Sequence, residues 1–146
     1  MKSFRFRLQR VLELRESEVK TEEAALEQLW SRRVQMEAER DTLVQSLERM
    51  TGAARMQQYV QPFELVMLDR YKDYVKLEVQ KWTQKLAAHD LEIEKQKARV
   101  VTTRGRVKLL EKLRDKSREH WQHEVDRELE ELASDFSASQ WLRGRA

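Results

Sequence analysis

Cysteine is absent from all 146 residues. Disulfide scaffolds and thiolate chemistry are thereby excluded, and nothing suggests a secreted, cross-linked domain. Turn formers are almost absent too, with three Gly and one Pro where average usage gives about ten and about seven. Sandwiches, doubly wound sheets and loop-rich enzymes need many such residues, so these classes are disfavoured. No apolar run approaches the 18 or so residues of a membrane span, and the opening MKSFRFRLQR has no signal-peptide core. Cytoplasmic residence is the expectation.

Charge is abundant instead. Charged residues make up 38% of the chain, against a usual share of about 25%. Hydrophobic residues make up 40%, yet four Trp, four Phe and three Tyr are present, which separates the chain from disordered polyelectrolytes. High charge with few breakers predicts long solvated helices packed along a narrow seam. The net charge of +3 is unevenly spread. Lys2, Arg5, Arg7 and Arg10 open the chain without an acid, residues 95–118 carry ten Lys or Arg, and residues 124–135 carry six acids against Arg127. A basic zone followed by an acidic one predicts different partners along the molecule.

Heptads organise the apolar residues. From about residue 4 to 50, Leu8, Leu29, Met36, Leu43 and Met50 form one seven-residue series, and Leu12, Val19, Leu26 and Leu47 a second. These are d and a positions, which bury one stripe against a partner helix. Arg15 and Glu22 interrupt the d sites, Arg33 and Arg40 the a sites. From about residue 63 to 136, Leu65, Val79, Leu86, Ile93, Val100, Val107 and Trp121 form one series, with Leu68, Val75, Trp82 and Leu110 as its companion. After Trp121 the phase shifts, and Val125, Leu129, Leu132 and Phe136 continue at spacings of four, three and four.

Between the two segments, Gly52 is read as a left-handed helix stop. Pro62 suits the first turn of the next helix, and Glu64 favours its dipole. The expected fold is all-α: two long helices in an antiparallel coiled-coil hairpin, the second longer. The helices are expected at about 4–50 and 63–136, with a turn at 51–62 and a flexible tail at 137–146. Folding back near residue 57 brings Leu47 to Leu65, Met36 to Val79, Leu26 to Leu86 and Leu12 to Val100, since both helices rise equally. A bend near Gly105 is a further expectation. Helix two overhangs by roughly 25 residues, so Trp121 needs a cover from another chain or from the C-terminus.

Sites for chemistry are scarce. His120 and His123 share a helix face beside Glu119 and Glu124, but two ligands on one exposed helix are an incomplete metal set. His89 reads as a polar seam position. No phosphate-binding glycine loop or nucleophile elbow occurs. An enzyme is not expected, nor a metal or other cofactor. The basic zone raises nucleic-acid binding, but it overlaps Val100, Val107 and Leu110 and leads into no further zipper. Tyr71 and Tyr74 stand off the main stripe, and Met56, Tyr59 and Phe63 crowd the turn; each group either widens the seam or forms an adaptable binding surface. Trp141 and Leu142 are a candidate anchor near the end.

The order of these segments resembles the FliJ family of bacterial flagellar export proteins. FRFRLQRVLELRE (4–16) is similar to its N-terminal pattern, KLLEKLRDKSREHWQHEVDRELEELASDF (108–136) to its basic-then-acidic C-terminal helix, and RYKDYVKLEVQ (70–80) with WTQK (82–85) to the middle of its second helix. The resemblance implies a non-enzymatic, stalk-like component of the type III export apparatus. It implies contact with the export ATPase ring, the cytoplasmic domain of the export gate and export chaperones, with no nucleic acid and no membrane insertion. It places the protein in the cytoplasm, peripherally associated with the inner membrane through that apparatus. By the same resemblance Phe4, Arg5, Arg7, Leu8, Arg10, Lys108, Lys112, Arg114, Lys116 and Arg118 are candidates for the ring contact. Tyr71, Tyr74, Glu78, Lys81 and Lys85 are candidates for the gate contact, the last three more charged than the family pattern. The rival readings are a generic coiled-coil adaptor, an injectisome stalk homologue and, behind these, a basic-helix nucleic-acid binder.

Overall fold

The computed structural model describes residues 3–145. Helix α1 spans Gln9–Met56 and helix α2 spans Pro62–Gly144. They form an antiparallel coiled-coil hairpin with the second helix longer. The chain divides into two compact units, one of Thr21–Val100 and one of Met1–Lys20 with Val101–Ala146.

Local chemistry accounts for the helix ends. Helix α1 begins at Gln9 rather than Phe4: Leu8 O accepts the first helical bond from Leu12 N at 2.9 Å, and no acid lies in the first turn. A leucine cap offers no side-chain acceptor, and the surrounding cations oppose the helix dipole. Gly52 does not stop α1. No glycine of the described chain has positive φ, and the helix continues through Ala53, Ala54 and Arg55 to Met56. Three good helix formers and Met offset the roughly 1 kcal/mol that one glycine costs. Pro62 does open α2: Leu65 N donates to Gln61 O at 3.2 Å, which makes Pro62 the first helical residue, and Glu64 lies in the first turn. Helix α2 passes Gly105 without interruption. The stretch expected as a loose tail is helical as far as Gly144, where Ser137 Oγ donates to Ala133 O and Ser139 Oγ to Phe136 O.

The later end of α1 moves the reversal, and with it the register. In the unit of Thr21–Val100, Ser46 meets Tyr71, Leu29 meets His89 and Glu22 meets Gln96. A reversal at residue 57 would set each of these α2 positions about one helical turn earlier. Met36, Val75, Leu86, Ile93 and Val100 are buried here. Leu26, Leu29, Leu43, Leu47, Leu68, Val79 and Trp82 are half-buried. Leu65, expected in the seam, is 52% exposed; the register set by Ser46–Tyr71 places it opposite Gly52 and Ala53, which offer little side chain to cover it.

Polar groups are built into the same seam. His89 Nε2 donates to Leu29 O at 2.7 Å. Gln96, itself buried, donates to both Glu22 O and the Glu22 carboxylate. Arg33 Nε donates to Asp90 Oδ1 at 2.6 Å, and its Nη1 reaches Glu37 Oε1 at 2.5 Å. The hydrogen bond from Arg33 holds the Asp90 carboxyl below its ordinary 3.8 against desolvation, and charge attraction adds to it. The same bond raises Arg33. Two of the charges that interrupt the heptads, Glu22 and Arg33, are thus satisfied across the hairpin, which fixes one register among those that an apolar seam allows. Arg15 and Arg40 instead pair along their own helix, with Glu18 and Asp41.

Candidate functional site

The unit of Met1–Lys20 and Val101–Ala146 holds the basic candidates. Residues 3–6 lie outside any helix. They run against α2, where the Phe4 ring stands 5.9 Å from the Trp121 ring at an interplanar angle of 53°. Trp121 thus packs against the N-terminal segment of its own chain. Ser3, Phe4, Arg5, Ser117, His120, Trp121 and Glu124 line one shallow groove at this crossing.

A second groove beside it is lined by Phe4, Arg5, Phe6, Arg7, Gln9, Arg10, Glu13 and Arg114. Four guanidinium groups thus converge on one small surface. Glu13 is its one acid and accepts a hydrogen bond from Gln9 at 3.2 Å. Of the residues that sequence reading singled out for the ring contact, the fold brings together Phe4, Arg5, Arg7, Arg10 and Arg114. Leu8 is near the edge of exposure. Lys108, Lys112 and Lys116 are exposed and succeed one another at spacings of four, a single column along α2. They do not line the groove, nor does Arg118.

The unit of Thr21–Val100 holds the other set. Tyr71 is half-buried, and its hydroxyl lies 2.6 Å from Ser46 Oγ. Its ring stands 6.0 Å from that of Tyr74, which is 52% exposed. One turn on, Lys81 Nζ donates to Glu78 Oε1 at 2.9 Å. That bond, with the Glu78 charge, raises the Lys81 ammonium above its ordinary value. Lys85 Nζ lies 4.7 Å from the Trp82 ring centre, a cation–π contact. Tyr74, Glu78, Lys81 and Lys85 recur at spacings of four, three and four, so they occupy one face of α2. Tyr71 also belongs to an apolar cleft at the reversal, lined by Met50, Ala53, Ala54, Gln57, Val60, Glu64, Met67, Leu68 and Tyr71. Met56, Tyr59 and Phe63 stand exposed around it.

The chain matches the family model described as Flagellar FliJ protein over residues 4–146. It belongs to the FliJ family. That match spans both helices and both candidate surfaces, and the family implies a component of the flagellar export apparatus. Comparison with curated proteins and with solved structures gave no match.

FliJ membership supplies no catalytic group to look for, and the histidine pair does not become a site on its own. His120 Nδ1 lies 3.7 Å from Glu124 Oε1, and among the described residues no group of three or more His, Asp or Glu side chains could hold a metal ion. No helix of the described residues is long and apolar enough to cross a membrane. Sequence reasoning missed Ser46 and the Phe4–Trp121 contact. Ser46 carries no periodic signal. Residues 4–8 hold no acid and no capping residue, so nothing there starts a helix, and nothing in the sequence points Phe4 toward Trp121.

Proposed function

We propose that this FliJ-family chain works as a stalk-like, non-catalytic link in the export apparatus, engaging the export ATPase ring with its basic groove and the cytoplasmic domain of the export gate with the Tyr74 face. The convergence of Arg5, Arg7, Arg10 and Arg114 on one groove is the observation that carries the reading. Guanidinium groups suit this role, because each presents a planar fork to carboxylates or carbonyls of a partner. Concentrated cations also speed encounter with an acidic surface. Lys108, Lys112, Lys116 and Arg118 extend the cationic field along α2, and Phe4 and Leu8 add apolar contact.

The gate reading is supported by a half-exposed aromatic, Tyr74, backed by a Tyr71 that is tied to Ser46. A rigid aromatic beside paired charges is the composition of an interface anchor. Glu78, Lys81 and Lys85 form the polar rim. Export chaperones are the third class of partner under this reading. The protein then resides in the cytoplasm and meets the inner membrane only through the apparatus. No chemistry of its own is required, since contact alone transmits between ATPase and gate.

The test is binding of the full chain, separately, to the purified export ATPase and to the purified cytoplasmic domain of the gate. Stimulation of ATP hydrolysis is read in the first assay. Binding to both with stimulation supports the link. Binding to neither, with helicity intact, removes the reading and favours a generic coiled-coil adaptor.

A further inference from the structure

We propose that the surface of α2 over residues 124–136 is a docking site for a basic amphipathic helix of another protein. This goes beyond the ring and gate contacts and does not depend on them. Val125, Leu129, Leu132 and Phe136 recur at spacings of four, three and four, which lines them up along one side of the helix. This seam is open to solvent: Leu129, Leu132 and Phe136 are 44%, 63% and 64% exposed. Each seam residue is preceded directly by an acid, giving Glu124, Glu128, Glu131 and Asp135. At 100° per residue these four acids form a column flanking the apolar stripe. The opposite flank carries Gln122, Asp126, Glu130, Ala133 and Ser137 and no cation.

Charge chooses the occupant. Residues beside an a/d seam set partner choice in paired helices. Arg127 reaches Glu131 at 3.3 Å, and His120 lies beside Glu124. Glu128 and Asp135 have no cation paired with them among the described residues. A second copy of this chain does not suit the surface. An antiparallel copy sets acid against acid, and a parallel copy sets the acids against a flank without cations. An anionic lipid surface is repelled for the same reason. A helix with apolar residues at heptad spacing and Lys or Arg along one flank meets both requirements.

The probe is a labelled synthetic peptide with Leu at a and d and Lys at e and g, and its twin carries Glu at e and g. Fluorescence anisotropy with the full-length chain should show saturable binding of the Lys peptide that weakens as salt rises. Glu128→Lys with Asp135→Lys should weaken the Lys peptide about tenfold and strengthen the Glu peptide. Leu132→Ser with Phe136→Ser should weaken the Lys peptide against the unsubstituted chain. Both pairs are at exposed positions, so circular dichroism should be unchanged. Absence of saturable binding, equal affinity for the two peptides, or affinity untouched by either double variant overturns the proposal. A dimer in sedimentation that is lost on Leu132→Ser with Phe136→Ser also overturns it, by giving the surface to a second copy.

Discussion

Phe4 packs its ring 5.9 Å from Trp121, joining the non-helical residues ahead of α1 to the side of α2. This contact, rather than a helical turn, holds the basic segment in place, because residues 3–6 make no helix. Phe4→Ala should therefore lower stability by about 1 kcal/mol, the scale of an aromatic pair beyond its buried area. Helicity should stay constant, since the lost residue is not helical. Urea unfolding monitored by circular dichroism reads both quantities. An unchanged midpoint would show that the segment is held by something else.

The pair across the hairpin at Arg33 and Asp90 predicts a pH dependence with a definite sign. The folded carboxyl of Asp90 is held below its ordinary 3.8, chiefly by the hydrogen bond from Arg33. The unfolded chain then binds the proton more readily. Stability from the pair is fully present above the unfolded value and is lost as pH falls through the folded one. Asp90→Asn should be less stable than the parent at neutral pH, and the two should converge as pH falls through the lowered Asp90 value. Thermal unfolding across pH 2 to 7 (a span chosen about the carboxylate range) measures this. Parallel curves over that range would rule the pair out as a contributor.

The features legible in the sequence are those that repeat. Leu12 and Ile93, the two most deeply buried large side chains, stand on the heptad series, where periodicity alone finds them. Pro62 opened α2 as its fixed φ predicts. Gly52 misled because a helix stop depends on the residues after the glycine, and Ala53, Ala54 and Arg55 favour continuing. In the unit of Thr21–Val100 the later end of α1 moves the reversal, so Ser46, Leu29 and Glu22 meet Tyr71, His89 and Gln96, about one turn further along α2 than a reversal at residue 57 would set them. Phe4 against Trp121 was not legible because Phe4 lies outside any helix and obeys no helical period. The basic groove was half legible: charge counting marked Arg5, Arg7 and Arg10, and the family resemblance added Arg114, but only the fold separates them from the Lys108, Lys112, Lys116 column.

The groove makes a separable prediction for the ATPase. Arg5→Glu, Arg7→Glu and Arg10→Glu together should abolish most of the stimulation of ATP hydrolysis. Two of the three positions precede the helix, and acids near the start of α1 favour its dipole. Helicity should therefore be retained or rise slightly. Stimulation at the parent level in a fully helical triple variant would count against the groove as the ring contact. Lys112→Glu with Lys116→Glu is the comparison, with a smaller loss expected because those side chains lie outside the groove.

Tyr74 offers the cleanest separation of the two contacts. Its side chain is 52% exposed, and its one ring contact is with Tyr71 at 6.0 Å. Tyr74→Ala should thus cost little stability, as exposed substitutions away from the core do. If Tyr74 anchors the gate, its loss should weaken binding to the gate's cytoplasmic domain about tenfold, the scale of a central aromatic at an interface. ATPase stimulation should be unaffected, because the Arg5, Arg7 and Arg10 groove belongs to the other compact unit. Tyr71→Phe removes only the hydroxyl that meets Ser46 Oγ at 2.6 Å. It should weaken gate binding less than Tyr74→Ala, by loosening the ring on which Tyr74 rests. Isothermal titration against the gate domain, with the ATPase assay run on the same protein, distinguishes the outcomes. Equal loss in both assays, or loss in neither, would mean that the Tyr74 face is not a separate contact.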